Sequence, residues 1–222
     1  MLTGTKSSQV AQYYCELAEQ ARATGDLQLA KTHLKNTIRS ESGALRGTLL
    51  RASIAKEEGD YTQALALYEQ VLSANRYFFS EVLPALTECY EKTGRSGDFE
   101  QYVNRWLSRD PSLRRDFAHA AIVGDLTDSP ALAKCVEGFV LENDVLAKLV
   151  DAEDLKSLPS ERRQEAIQRI AQGLRKVALS SARYRCANCG YSTQRFIWHC
   201  PSCKLWETVR PVQTFQLETI LS

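Results

Sequence analysis

The chain has 222 residues, of which 44% are apolar and 25% charged, with a formal net charge of +1. That is enough for one large or two smaller domains with a sizeable core. The balanced charge gives no global reason to expect nucleic acid or a membrane surface as partner, and no stretch approaches the roughly 20 apolar residues of a membrane span.

After a short polar start, Met1 to Ser8, the sequence repeats itself. Gly25-Asp26-Leu27 recurs as Gly59-Asp60-Tyr61, 34 residues on, and Gly94 follows. Leu17, Ala18, Ala21, Ala30 and Leu34 surround the first glycine; Ala52, Ala55, Ala64, Tyr68 and Leu72 surround the second. Leu83, Leu86, Tyr90, Trp106, Leu107 and Asp110-Pro111 mark a third unit, with Phe99 where an alanine is expected. The pattern resembles the tetratricopeptide repeat, a helix–turn–helix unit of 34 residues. Its physics is consistent. Glycine ends the first helix in a left-handed cap, small residues let antiparallel helices approach, and larger ones fill the seam between hairpins. Residues 9–111 therefore read as three such repeats.

Residues 112–182 continue as helix without the consensus and read as divergent hairpins that extend the array. Ser129-Pro130 is an N-cap followed by proline at N1, and Leu132, Cys135, Val136, Phe139 and Val140 follow at helical spacing. Asp144 to Val150 is a short helix. Pro159-Ser160 opens another, with Ile167, Ile170, Leu174 and Val177 on one face.

Residues 183–222 form the third part. Cys186-Ala187-Asn188-Cys189 and Cys200-Pro201-Ser202-Cys203 are two C-x2-C pairs, separated only by Gly190 to His199. Each pair folds into a tight turn that points two sulfurs at one ion, so Cys186, Cys189, Cys200 and Cys203 read as a four-thiolate metal site. Gly190 suits the positive φ of such a turn. Four thiolates take zinc or iron. With Zn²⁺ the site is closed to catalysis and carries a charge of −2, which Arg183, Arg185 and Lys204 offset. Iron would make it a one-electron carrier, but Lys204 stands where rubredoxins carry glycine and the spacer is short. His199 is an alternative ligand by proximity. Cys15, Cys89 and Cys135 lie in apolar-periodic segments and read as core thiols in a reducing compartment.

Such a small module cannot bury a large core of its own. Its aromatics, Tyr184, Tyr191, Phe196, Trp198 and Trp206, are expected around the knuckles and against the helices. The expected fold is thus mainly α: a repeat-type solenoid of helical hairpins with a small rubredoxin-like, or zinc-ribbon, module docked on it. Phe215 to Leu221 reads either as a docking strand or as a disordered end.

In such repeats the first helices line a concave groove. Mapped here, that face holds Gln12, Cys15, Glu19 and Arg22, then Arg46, Leu49, Ser53 and Lys56, then Glu81, Glu88 and Glu91. Basic in its second repeat and acidic in its third, it suits a peptide or domain of mixed charge. His33 and His119 stand alone, and the sequence has no P-loop, G-x-S-x-G or H-E-x-x-H, so an enzyme is not expected. Two alternatives to a protein-binding scaffold stay open: an iron redox protein, and single-stranded nucleic-acid binding through the basic, aromatic tail.

Tyr184-Arg185-Cys186-x-x-Cys189-Gly190, with Trp198-His199-Cys200-Pro201-Ser202-Cys203 and Trp206, resembles the C-terminus of the lipopolysaccharide assembly protein B family (LapB, or YciM). Tyr13-Tyr14-Cys15-Glu16-Leu17-Ala18 is similar to one of that family's repeats. The resemblance covers nearly the whole chain and is loosest over residues 113–180. It implies the soluble C-terminal part of an inner-membrane-anchored protein facing the cytoplasm, without the family's membrane helix and first repeats. It implies a non-enzymatic adaptor that brings the lipid A deacetylase LpxC to the membrane protease FtsH, opposed by an inner-membrane lipopolysaccharide sensor (PbgA, or YejM). It also implies one metal ion, zinc before iron, on the four cysteines. Nucleic acid is not expected as a partner, and a homodimer stays open.

Overall fold

A computed structural model describes residues 6–40 and 45–212. The expectations for Met1 to Thr5 and for Phe215 to Leu221 lie outside the described residues. The chain is mainly helical and divides into two compact units. One holds residues up to 76 together with 88–94; the other holds residues 77–87 and everything from 95 on. Among the described residues, no helix is long and apolar enough to cross a membrane.

The first unit contains α1 (Lys6–Ala23), α2 (Leu27–Ser40), α3 (Leu45–Glu57) and α4 (Tyr61–Ala74). Helices α1 and α2 pack as one hairpin, and α3 and α4 as the next. The same turn joins each pair. Gly25, at φ 83°, donates to the Arg22 carbonyl while Asp26 donates to that of Ala21; Gly59, at φ 80°, and Asp60 repeat this with Lys56 and Ala55. This double bond satisfies the last carbonyls of the helix, and its left-handed residue is cheapest as glycine. Each aspartate then caps the following helix: Asp26 accepts from the Leu29 amide at 2.9 Å and Asp60 from the Gln63 amide at 3.0 Å. The Gly-Asp pair thus ends one helix and starts the next, which is why it recurs at the repeat period. Between the hairpins, Cys15, Ala18, Ala30, Leu34, Leu50 and Ile54 form one core.

A 3-10 turn, Arg76–Phe78, enters α5 (Phe79–Lys92), and the second unit takes this stretch from Tyr77 to Thr87. It continues with α6 (Ser96–Arg109), α7 (Leu113–Gly124), α8 (Pro130–Glu142), α9 (Asp144–Leu149), α10 (Ala152–Ser157) and α11 (Ser160–Ser180). Pro84 sits inside α5, where it lacks an amide proton. Its ring packs against α7: a Cβ added at Gly124 would meet Pro84 Cγ at 3.1 Å. Helices α7 and α8 form a further hairpin closed by the same double bond, from Asp125 to Ile122 and from Leu126 to Ala121. Here the left-handed residue is Asp125, at φ 61°, instead of glycine. Two short helices, α9 and α10, then lead to α11, which packs back on both α7 and α8.

The C-terminal module is a three-stranded antiparallel sheet of β1 (Tyr184–Cys186), β2 (Ser192–Thr193) and β3 (Val209–Pro211), in the order β2-β1-β3. Its small core is Tyr184, Cys186, Cys200 and Val209, with Phe196 and Ile197 packed beside it.

Candidate metal centre and its docking on the helices

Two knuckles carry the four cysteines, and they share one hydrogen-bond pattern. In the first, Gly190 donates to the Cys186 carbonyl at 3.0 Å and Cys186 donates to that of Tyr191 at 2.8 Å. In the second, Lys204 donates to the Cys200 carbonyl at 2.9 Å and Cys200 to that of Leu205 at 3.0 Å. Both turns need a left-handed residue after the second cysteine. Gly190 supplies it at φ 77°, and Lys204 supplies it at φ 60° in spite of its side chain.

The four sulfurs converge. Cys186 Sγ lies 3.7 Å from Cys203 Sγ, Cys189 Sγ lies 3.6 Å from Cys200 Sγ, and all four fall within 4.8 Å of one another. A tetrahedral ion with metal–sulfur bonds of about 2.3 Å sets its sulfurs about 3.8 Å apart. The cysteines are therefore positioned to hold one metal ion, and the donor set suits zinc or iron. A thiolate is favoured at Cys186. Burial pushes its thiol up, but the Thr208 hydroxyl, 3.3 Å away, and the amides of Cys189 and Asn188 outweigh burial and bring it down to about 6. Burial dominates at Cys200 and pushes it up to about 11. A bound cation would reverse that shift, as metal coordination deprotonates thiols. His199 is engaged elsewhere: its Nε2 lies 3.1 Å from the Lys204 carbonyl and its ring packs on Trp206.

The module sits on the start of α5. Phe78 stacks on Trp198, with ring centres 5.6 Å apart, and meets Phe196 edge-on at 5.5 Å. Phe196 in turn contacts Trp198 and Tyr184. Tyr184 donates from its hydroxyl to Glu81 at 2.8 Å, and Arg210 lies over the Tyr77 ring at 4.9 Å. Phe196 and Trp198 come from the segment between the two cysteine pairs, so the segment that links the knuckles also makes the dock. The expectation that the module's aromatics face the helices matches these contacts for Tyr184, Phe196 and Trp198, whereas Tyr191 is exposed and Trp206 packs on His199. Their partners on the helical side, Tyr77 and Phe78, were not legible, since nothing local distinguishes them from ordinary core aromatics.

Residues 184–211 match the family profile described as a rubredoxin metal binding domain, of the LapB zinc-ribbon type, and residues 55–122 match that of the tetratricopeptide repeat. Lipopolysaccharide assembly protein B of Escherichia coli K12 is 27% identical over 208 residues, covering 92% of this chain and 53% of that protein. The chain is homologous to lipopolysaccharide assembly protein B. Its counterpart from Haemophilus influenzae is 26% identical over 212 residues, again covering 92% of this chain and 52% of the relative. The chain thus spans about half the length of the curated relatives of that name it matches.

The groove candidates fall in different surroundings. In the first unit, Arg46 is 1% exposed, and its guanidinium donates to Glu16 at 2.5 Å, to Glu19 at 2.8 Å and to Gln12 at 3.3 Å. Burial works against this charge, but Glu19 and Glu16 outweigh it and hold the arginine's pKa above its ordinary value. Arg46 thus ties α3 to α1 and is not an open basic residue. Arg22 pairs with Glu57, and Lys56 with Glu88 at 2.6 Å. Leu49 is half-buried and Glu91 exposed. In the second unit, Glu81 is taken up by Tyr184, with Arg183 at 3.9 Å. Cys15, Cys89 and Cys135 are buried core thiols, as expected, and burial pushes Cys89 and Cys135 up to about 11.

Proposed function

We propose that the chain is the metal-stapled part of a non-enzymatic adaptor in lipopolysaccharide assembly. In this reading it acts at the cytoplasmic face of the inner membrane, delivers an LpxC-type deacetylase to an FtsH-type protease, and is opposed by a PbgA/YejM-type sensor. Residues 9–111 carry the repeats, 112–182 extend them, and 183–222 form the metal module. The observation that carries the reading is the similarity to lipopolysaccharide assembly protein B across 92% of the chain, spanning both helices and cysteine module. The tetratricopeptide match supports a role in binding proteins.

Cys186, Cys189, Cys200 and Cys203 hold one zinc ion in this proposal. It is structural, because four protein thiolates leave no open coordination position. Metal analysis of protein from its native host tests the assignment. One zinc per chain without visible absorption supports it, whereas one iron with thiolate charge-transfer bands replaces it with the redox reading. The adaptor role is tested by following the deacetylase in cells. Its lifetime lengthens when the gene is deleted, and both deacetylase and protease co-purify with the tagged protein. An unchanged lifetime overturns the adaptor.

A further inference from the structure

Ion pairs neutralise three cations of the first unit's groove-facing helices, Arg22, Arg46 and Lys56. The same unit holds a second cleft where charge is left over. It lies between α2, α3 and α4, encloses about 280 Å³, and is lined by Lys31, Lys35, Arg51 and Gln63 over Leu34, Ile54 and Ala55. Leu34, Ile54 and Ala55 are core residues, so the floor is apolar and fixed. Lys31 pairs with Glu58 at 2.5 Å. Among the described residues, Lys35 and Arg51 form no ion pair. Two cations without an ion pair among the described residues, Lys35 on α2 and Arg51 on α3, therefore line the same cleft as this apolar floor and Gln63.

We propose that this cleft binds an acidic peptide segment that places one apolar side chain between carboxylates. The volume lies at the lower edge of the roughly 300–1,000 Å³ of small-molecule pockets and is ample for one leucine or phenylalanine. Charge decides the flanks. Arg51 presents a planar fork that grips a carboxylate in bidentate fashion, and Lys35 offers a second point charge. The aliphatic stems of Lys31, Lys35 and Arg51 extend the apolar wall while their heads stay in water. The floor and the cations belong to one unit, so the site is complete without any other part of the chain. The inference rests on reading the helices as a protein-binding scaffold and adds a second contact surface, separate from the groove-facing residues.

The test uses the whole chain and a fluorescent peptide, Gly-Glu-Glu-Leu-Glu-Glu-Gly, read by anisotropy at low salt. Binding should saturate, and Lys35→Glu and Arg51→Glu should each weaken it about tenfold or more. Lys176→Glu, at an exposed position of α11, should leave it unchanged. Replacing the peptide's leucine by glycine should cost about another tenfold, which separates a seated side chain from simple charge attraction. Three results each overturn the proposal: no binding, equal binding by the charge-reversed variants, or equal binding by the leucine-free peptide. Circular dichroism of the two surface variants excludes misfolding. Should the peptide fail while deacetylase and protease still co-purify with the protein, only the cleft falls. Should the peptide bind while deacetylase lifetime is unchanged, only the adaptor role falls.

Discussion

Tyr184 and Glu81, 103 residues apart in sequence, share a 2.8 Å hydrogen bond in which the phenol donates to the carboxylate. Tyr184 opens β1 two residues before the first cysteine, and Glu81 lies in the first turn of α5. The bond therefore couples the metal module to the helix that supports it. Burial, then the charge of Glu81 and this bond, push the phenol's pKa up, so it stays a donor throughout the working pH range. Tyr184→Phe should cost about 1.5–3 kcal/mol, the usual worth of a hydrogen bond to a charged group. Thermal melting should show the loss while the metal stoichiometry stays at its wild-type value. An unaltered melting temperature would show the bond to be incidental.

Metal removal should release the dock as well as the cage. The module's own core is four residues with Phe196 and Ile197 beside them, too little to fold alone, so metal-binding free energy becomes folding free energy. Cys186→Ser or Cys203→Ser, or chelation of the wild type, should free Trp198 from Phe78 and shift tryptophan emission to the red. Protease should then cut between Arg183 and Arg210 while α1 to α4 resist. Retention of wild-type emission after chelation would mean that the aromatic dock holds without metal.

The two knuckles permit a comparison inside one molecule. Lys204 adopts the left-handed backbone that its counterpart Gly190 adopts without strain. A side chain in that region costs roughly 1 kcal/mol, partly returned through the unfolded chain's lower entropy. Lys204→Gly should therefore stabilise the module by up to about 1 kcal/mol. Gly190→Ala should destabilise it by a similar amount, and metal-release rates in competition with a chelator measure both. Equal rates for wild type and Lys204→Gly would indicate that the lysine side chain offsets its own strain.

The contrast between what was legible in the sequence and what was not follows the range of each interaction. The cysteine cage was readable because the ligands of each knuckle lie within four residues and the geometry is set by one turn. The hairpins around Gly25 and Gly59 were readable because glycine is the residue that the left-handed cap favours. The cap at Asp125 uses the same hydrogen bonds, but aspartate carries no such signal. Arg46 was read as a groove cation from its position on the first helix of the second repeat. Its burial depends on Glu16 and Glu19, roughly one repeat earlier, and only the packing of α1 on α3 brings them together. Phe78 and Trp198 meet across 120 residues, and no local pattern encodes that contact.

Close approach of α5 and α7 gives a steric test. At Gly124 an added methyl would sit 3.1 Å from Pro84 Cγ and 3.3 Å from Leu126 Cδ1. Pro84 is a ring closed onto its own backbone in α5, and the Leu126 backbone is held where its amide donates to the Ala121 carbonyl at 2.8 Å, so relief must come from small side-chain shifts. Gly124→Ala should gain a little helix propensity and lose more to overpacking, for a net cost of about 1–2 kcal/mol. Pairing it with Pro84→Ala should recover most of that loss, a coupling a double-mutant cycle reads directly. Additive costs would place the strain elsewhere.

His119 gives the second unit a pH dependence of definite sign. It is 7% exposed, and burial first, then the nearby charge of Arg183, bring its pKa down to about 4. The folded chain keeps this imidazole neutral where the unfolded chain, with an ordinary value near 6.5, takes up a proton. Its contribution is therefore complete above about pH 6.5 and is lost as pH falls towards 4, by about 3 kcal/mol in total. Metal loss from the cysteines adds its own acid sensitivity, so the informative quantity is a difference. Denaturant unfolding of wild type and His119→Gln between pH 7 and pH 4.5 should show stability falling more steeply for the wild type. Parallel curves would mean that the imidazole is protonated in the folded chain, with its charge compensated within the unit.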